Sequence, residues 1–229
     1  MVKKNLVFIA CLLLFAGLPL IAADKTEGGG KMKGVAFIPD VYNSLDFSGD
    51  VSTENKCTEH YDWISTPRVN TIDINTPEKI IFDTSAQGFE PVIPVCGAYL
   101  ISANWGLKYH NLPVKVLYIR RADEDKWYSG RIDRALRAYK KFGINQHPAP
   151  SPLEKDKAYQ KKLKREREKA QSYTDEELKS GQANGSAFTE NLLDYVEIPL
   201  TSGIYEIYMS SLGIESNKVK VEIIFKYGK

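Results

Sequence analysis

The tail of the chain reads in twos. From Lys218 to Tyr227, the apolar residues Val219, Val221, Ile223, Phe225 and Tyr227 alternate with Lys218, Lys220, Glu222 and Lys226, and only Ile224 breaks the rhythm. Side chains of an extended strand point alternately to opposite faces, so this pattern asks for a strand with one buried and one wet face. A helix would scatter the same residues around its circumference. Two earlier segments keep the same period. Val196, Ile198 and Leu200 share a face in a strand expected over 191–200, and Tyr205, Ile207 and Met209 share one in a strand expected over 204–209. Three such strands, separated by Thr201-Ser202-Gly203 and Gly213, point to an antiparallel sheet over a core.

More strands are expected upstream. Val69 to Asn75 alternates, Lys79 to Asp83 carries Ile80, Ile81 and Phe82, and Phe89 to Ser102 is long and apolar. Pro91 and Pro94 cannot donate to a ladder, so the start of that run belongs at an edge or bulge, and Gly97 marks a kink. Pro113 to Arg121 is apolar on both faces, as in a central strand, and Trp127-Tyr128 begin its return. Residues 131–142 then change to a helical period, with Ile132, Ala135, Leu136, Tyr139 and Phe142 as the apolar stripe and Gly143 as the stop.

The segment 143–190 reads as an insertion between the first part of the β domain, 69–142, and its last strands, 191–229. It opens on Pro148-Ala-Pro-Ser-Pro152. Residues 155–169 hold eight Lys or Arg against three acids, a local charge of +5. Thr174 ahead of Asp175, Glu176 and Glu177 is an N-cap signal, with acids over the positive end of the helix dipole. The insertion is therefore partly helical and well solvated.

The N-terminal 68 residues divide in two. Lys3 and Lys4, the apolar run Leu6 to Leu20 and Ala22-Ala23 have the layout of a cleaved signal peptide over 1–23, of bacterial type. Residues 24–68 read as a flexible, glycine-rich leader followed by irregular structure. Losing residues 1–23 removes two lysines and no acid, leaving 29 of the 31 Lys and Arg against 29 Asp and Glu. A neutral exported chain gives no electrostatic reason to expect a nucleic-acid partner, and no later run is long and apolar enough to cross a bilayer. Of three cysteines, Cys57 and Cys96 would remain. In an oxidising compartment that pair implies a disulfide, the alternative being two separate thiols.

Leu200-Thr-Ser-Gly-Ile-Tyr205 resembles the corner before the sixth strand of immunoglobulin-like and fibronectin type III-like domains. The resemblance covers residues 78–130 and 190–227. It implies an immunoglobulin-like antiparallel β-sandwich in which the Tyr205 ring fills the core and its hydroxyl bonds a backbone group upstream. Cys96 falls in the second strand of such a domain, but the sixth offers Tyr208 and Met209. Cys96 would thus reach Cys57, outside the usual framework, or stay unpaired. A fold-level likeness carries no function with it.

No motif for catalysis or for a cofactor is present. Cys57, His60 and Asp62 lie close together but lack the second ligand pair of a zinc site. His60, His110 and His147 sit in no nucleophile signature, and a glycosidase carboxylate pair cannot be located. Trp105, Tyr109 and His110 lie in an expected loop between two strong strands, where binding groups often sit; the competing reading makes Trp105 a plug in the end of the core. Lys161, Lys162, Lys164, Arg165 and Arg167 could meet an anionic surface, or be the solvated face of a linker helix. Asn184-Gly185-Ser186 is a glycosylation sequon that matters only in a glycosylating host. The expectation is a non-enzymatic periplasmic or extracellular module that binds an envelope protein or a glycan. The rival is a carbohydrate-handling protein.

Overall fold

The computed structural model describes residues 32–45, 68–143, 153 and 156–228. The fold is mainly β, with a few helices. Its strands are β1 (Val35–Ile38), β2 (Thr71–Asn75), β3 (Lys79–Asp83), β4 (Pro94–Ser102), β5 (Val116–Arg121), β6 (Tyr128–Arg131), β7 (Ala183–Asn191), β8 (Gly203–Ser211), β9 (Ile214–Glu215) and β10 (Val219–Lys226). Its helices are α1 (Ala103–Lys108), α2 (Arg134–Phe142), α3 (Lys157–Ala170) and α4 (Asp175–Lys179). The signal-peptide and leader segments, Cys57, His60, Asp62 and His147 lie outside the described residues.

The strands form two sheets. The larger has the order β1-β3-β10-β8-β5-β6, with β9 paired to β8, and the smaller has the order β2-β4-β7. Pairing is antiparallel with one exception: β10 runs parallel to β3, with Ile223 opposite Ile80 and Phe225 opposite Phe82. Alternation decides which face goes in. Tyr205, Ile207 and Met209 of β8 and Val221 and Ile223 of β10 are buried, as are Ile80 and Phe82 of β3. They join Ile72 and Ile74 of β2 and Val95 and Cys96 of β4 in one apolar cluster fed by both sheets. Each such aliphatic or aromatic side chain contributes roughly 1.5–3 kcal/mol on burial.

The β8 entry is a closed hydrogen-bonded corner. The Tyr205 hydroxyl donates to the Thr201 carbonyl at 3.0 Å and accepts from the Thr201 N–H at 2.9 Å. Ser202 Oγ accepts from the Phe225 N–H at 2.9 Å, tying the same corner to β10.

Several segments differ from the pattern read in the sequence. The strand expected over 191–200 is not one. The pairing strand is β7, which runs through the last part of the span read as insertion, ends at Asn191 and is followed by a 3-10 turn over Leu192–Asp194. Residues 196–200 run on without a ladder partner, and Pro199 has no N–H to give one. The long run from Phe89 enters the sheet only at Pro94, and β4 is the central strand of its sheet. At Gly97 the strand keeps its pairing with both neighbours. Glycine is needed there because a Cβ would stand 2.2 Å from Cζ of Phe188, whose ring lies on the strand.

Part of the apolar stripe of α2 faces solvent, although Ile132 just ahead of the helix packs on the core. Leu136 and Tyr139 are 43% and 56% exposed, and Ala138 is buried. Arg137 goes inward because it meets Asp194 at 2.5 Å, with both side chains 10% exposed. Gly143 ends α2 with φ 67°, as a left-handed C-cap. The helices of the 143–190 span are not a loose linker. Ala170 of α3 and Leu178 of α4 are buried, and both helices pack on α1. Thr174 and Glu177 form a reciprocal capping box on α4.

Candidate functional site

The outer face of the larger sheet carries two rows of side chains that only strand pairing brings together. Residues of β8 pointing away from the core are Ile204, Glu206, Tyr208 and Ser210. Glu206 lies opposite Lys220 of β10 and Arg120 of β5, and Tyr208 lies opposite Tyr118 of β5. In the first row, Arg120 donates from Nε and Nη2 to Glu206 Oε2 at 3.0 and 2.7 Å, and Lys220 reaches Oε1 at 3.4 Å. These hydrogen bonds, Arg120's above all and against the effect of burial, hold the Glu206 carboxyl below its usual range.

The second row is aromatic. The Tyr118 and Tyr208 rings stack 4.5 Å apart at 4°. Trp127, just ahead of β6, meets Tyr208 edge-on at 4.9 Å. Two cations flank these rings: Arg120 lies 4.7 Å from the Trp127 centroid, and Lys218 lies 5.8 Å from Trp127 and 5.5 Å from Tyr208. Burial, then Glu215 and Tyr118, raise the Tyr208 phenol, so it remains a neutral hydroxyl at physiological pH. The site is thus a half-exposed patch of two tyrosines and a tryptophan held in fixed orientation by an ionic row beside it.

A second polar centre lies where β7 meets α2. Glu190 is 2% exposed. Its Oε1 accepts from Arg134 Nε at 2.7 Å, and its Oε2 accepts from the Tyr195 hydroxyl at 2.7 Å. Burial, then the Glu190 charge, push the Tyr195 phenol well above its ordinary range. Burial, then Glu78, do the same to Tyr42. A phenol whose pKa is raised in the fold stabilises fully below its unfolded value and loses that contribution as pH climbs toward the folded one. We therefore expect the urea midpoint to hold up to about pH 10 and to fall above it, with the Tyr195→Phe variant losing less over the alkaline limb. Equal slopes for the two proteins would refute the assignment.

The residues expected to bind ligand are placed differently. Trp105 and Tyr109 belong to α1 and its C-terminal turn rather than to a loop, and their rings meet at 4.5 Å. Trp105 Nε1 donates to the Leu212 carbonyl at 3.0 Å, and the ring packs on the core. His110 Nδ1 is 2.9 Å from the Leu107 carbonyl. α3 and α4 lie over this end: Lys108 Nζ donates to the Tyr173 carbonyl, and Asn104 Nδ2 to that of Glu177. Trp105, Tyr109 and His110 are each half-buried there. Lys161, Lys162, Lys164 and Arg165 are exposed on α3, while Arg167 is half-buried. Cys96 is fully buried in β4.

An apolar groove of about 610 Å3 runs beside the Tyr205 corner between Phe89, Leu193, Ile198, Leu200 and Phe225. Among the described residues, no group of three or more His, Cys, Asp and Glu is placed to hold a metal ion, and no helix is long and apolar enough to cross a membrane.

No protein-family model matches this chain, and neither a curated protein nor a solved structure is significantly similar to it.

Proposed function

We propose that this chain is an exported, non-enzymatic binding module built on an immunoglobulin-like sandwich, and that it binds an envelope protein through the outer face of its larger sheet. The observation that carries the reading is the Trp127–Tyr208–Tyr118 patch with Arg120 and Lys218 beside it. Tyr, Trp and Arg are the residues that dominate protein–protein interfaces, because each offers a large rigid area together with a polar tip. Here they are already ordered, so binding would lose little side-chain entropy. The immunoglobulin-like part of the proposal is supported by the Tyr205 corner and by a strand order in which β8 lies between β10 and β5.

Export is proposed from residues 1–23, and with it a Cys57–Cys96 disulfide, which would stabilise the fold by about 4 kcal/mol on the chain-entropy model. The exposed cations of α3 would add contact to an anionic surface. The patch favours a protein over a glycan because Tyr, Trp and Arg lie together in it, with one face each of Tyr118 and Tyr208 taken up by their stacking and Arg120 set against Trp127.

The test is crosslinking in an envelope fraction, comparing the natural chain with a Trp127→Ala/Tyr208→Ala variant, with a glycan array run in parallel. We expect one or more specific protein adducts that fall at least tenfold in the variant, at unchanged far-ultraviolet circular dichroism. Adducts indifferent to the two substitutions, or glycan binding that they abolish, would overturn the reading.

A further inference from the structure

A cavity of about 290 Å3 opens where β5 begins, between Lys115, Arg131, Ile132, Arg134, Phe188 and Glu190. Three cations reach it from three elements. Arg134 is matched by Glu190, its Nε and Nη2 each 2.7 Å from Oε1. That carboxylate is buried and also bonded by Tyr195, so it serves to hold the Arg134 guanidinium in place across one wall. Asp133 is occupied as the N-cap of α2, accepting from the Leu136 N–H at 2.9 Å. Among the described residues neither Lys115 nor Arg131 has a carboxylate partner. Lys115 Nζ is instead 4.8 Å from the Tyr99 ring centroid. The polar lining therefore presents an excess of N–H donors and positive charge, beside the apolar surfaces of Phe188 and Ile132.

The backbone supplies an independent sign. Lys115 has φ 53°, one of three non-glycine residues in the left-handed region among the described residues. Glycine would take that conformation freely, and a lysine there carries a backbone cost that the surrounding structure has to hold. Its carbonyl is fixed by the Ile132 N–H at 2.8 Å, which locks the strained residue at the mouth of the cavity.

We infer that this cavity binds a small carboxylate with an apolar body: the anionic head between Lys115 and Arg131, the body against Phe188 and Ile132. An Arg fork suits the planar carboxylate, which can accept two parallel hydrogen bonds, and the apolar walls discriminate against fully solvated inorganic anions. The site is separate from the sheet face and does not depend on it.

The probe is benzoate, measured by isothermal titration calorimetry on the full chain against benzyl alcohol and inorganic phosphate. Benzoate should bind at least tenfold more tightly than either. Arg131→Gln changes an exposed side chain, so its melting temperature should stay within a degree or two while benzoate affinity falls about tenfold, as expected on losing a charge-assisted hydrogen bond. Lys115→Gly should hold or raise the melting temperature by relieving the backbone, and should also weaken benzoate. Benzoate binding no better than benzyl alcohol or phosphate, or binding untouched by both substitutions, would overturn the inference.

Discussion

Tyr205→Ala is expected to lower stability by about 4 kcal/mol, the usual cost of emptying a buried aromatic site. In a domain of this size that is a fall in melting temperature on the order of 12 °C. The ring is 1% exposed, and it sits at the start of β8, the strand that pairs with β5, β9 and β10. Tyr205→Phe keeps the ring and removes only the hydroxyl that bridges the Thr201 N–H and carbonyl. Thr201 is exposed, so water can replace those bonds, and the loss should be near 1 kcal/mol. Denaturant titration of both variants separates packing from the corner. Similar losses in the two would show that the hydroxyl carries most of the effect and that this account of the corner is wrong.

The second large effect is at Arg137. Arg137→Met should cost about 3 kcal/mol, because it takes the guanidinium away from a carboxylate that is only 10% exposed. Removing both charges together, as Arg137→Met/Asp194→Leu, should recover most of that loss, since a well-packed apolar pair avoids the desolvation that each ion incurs. Asp194 also accepts from Asn191 Nδ2 at 3.2 Å, so the single variant should remain folded. A double variant as unstable as the sum of the singles would mean that α2 is not held by this ion pair.

These two sites show what could be read in the residues alone. Tyr205, Ile207, Met209, Val221 and Ile223 announced themselves because a half-buried strand leaves a two-residue imprint. β7 left none. Its buried end is Phe188-Thr189-Glu190-Asn191, mostly polar, and it is buried because Glu190 and Asn191 find partners that no local pattern foretells. α2 misled for the same reason. Its apolar stripe was correctly periodic, but two ion pairs formed by Arg134 and Arg137 set its rotation. The aromatic patch was invisible for a different cause. Tyr208 is far from Tyr118 and Trp127 in the chain, and nothing in it states that β5 and β8 are neighbours. The one available signal was Tyr208 standing among outward-facing positions of a strand whose other face is core. Trp105 drew attention as the tryptophan of an apparent loop, yet Ser102 caps a helix there by accepting from its N–H.

The parallel pairing of β10 with β3 has a consequence for how the polypeptide is made. β10 lies between β3 and β8, in the interior of its sheet, although it is the last of the described strands in sequence. The larger sheet cannot close until residues 219–226 have left the ribosome, and contacts spanning about 140 positions make closure slow. If the chain is exported as proposed above, that delay would keep the nascent polypeptide threadable until synthesis of the segment is complete.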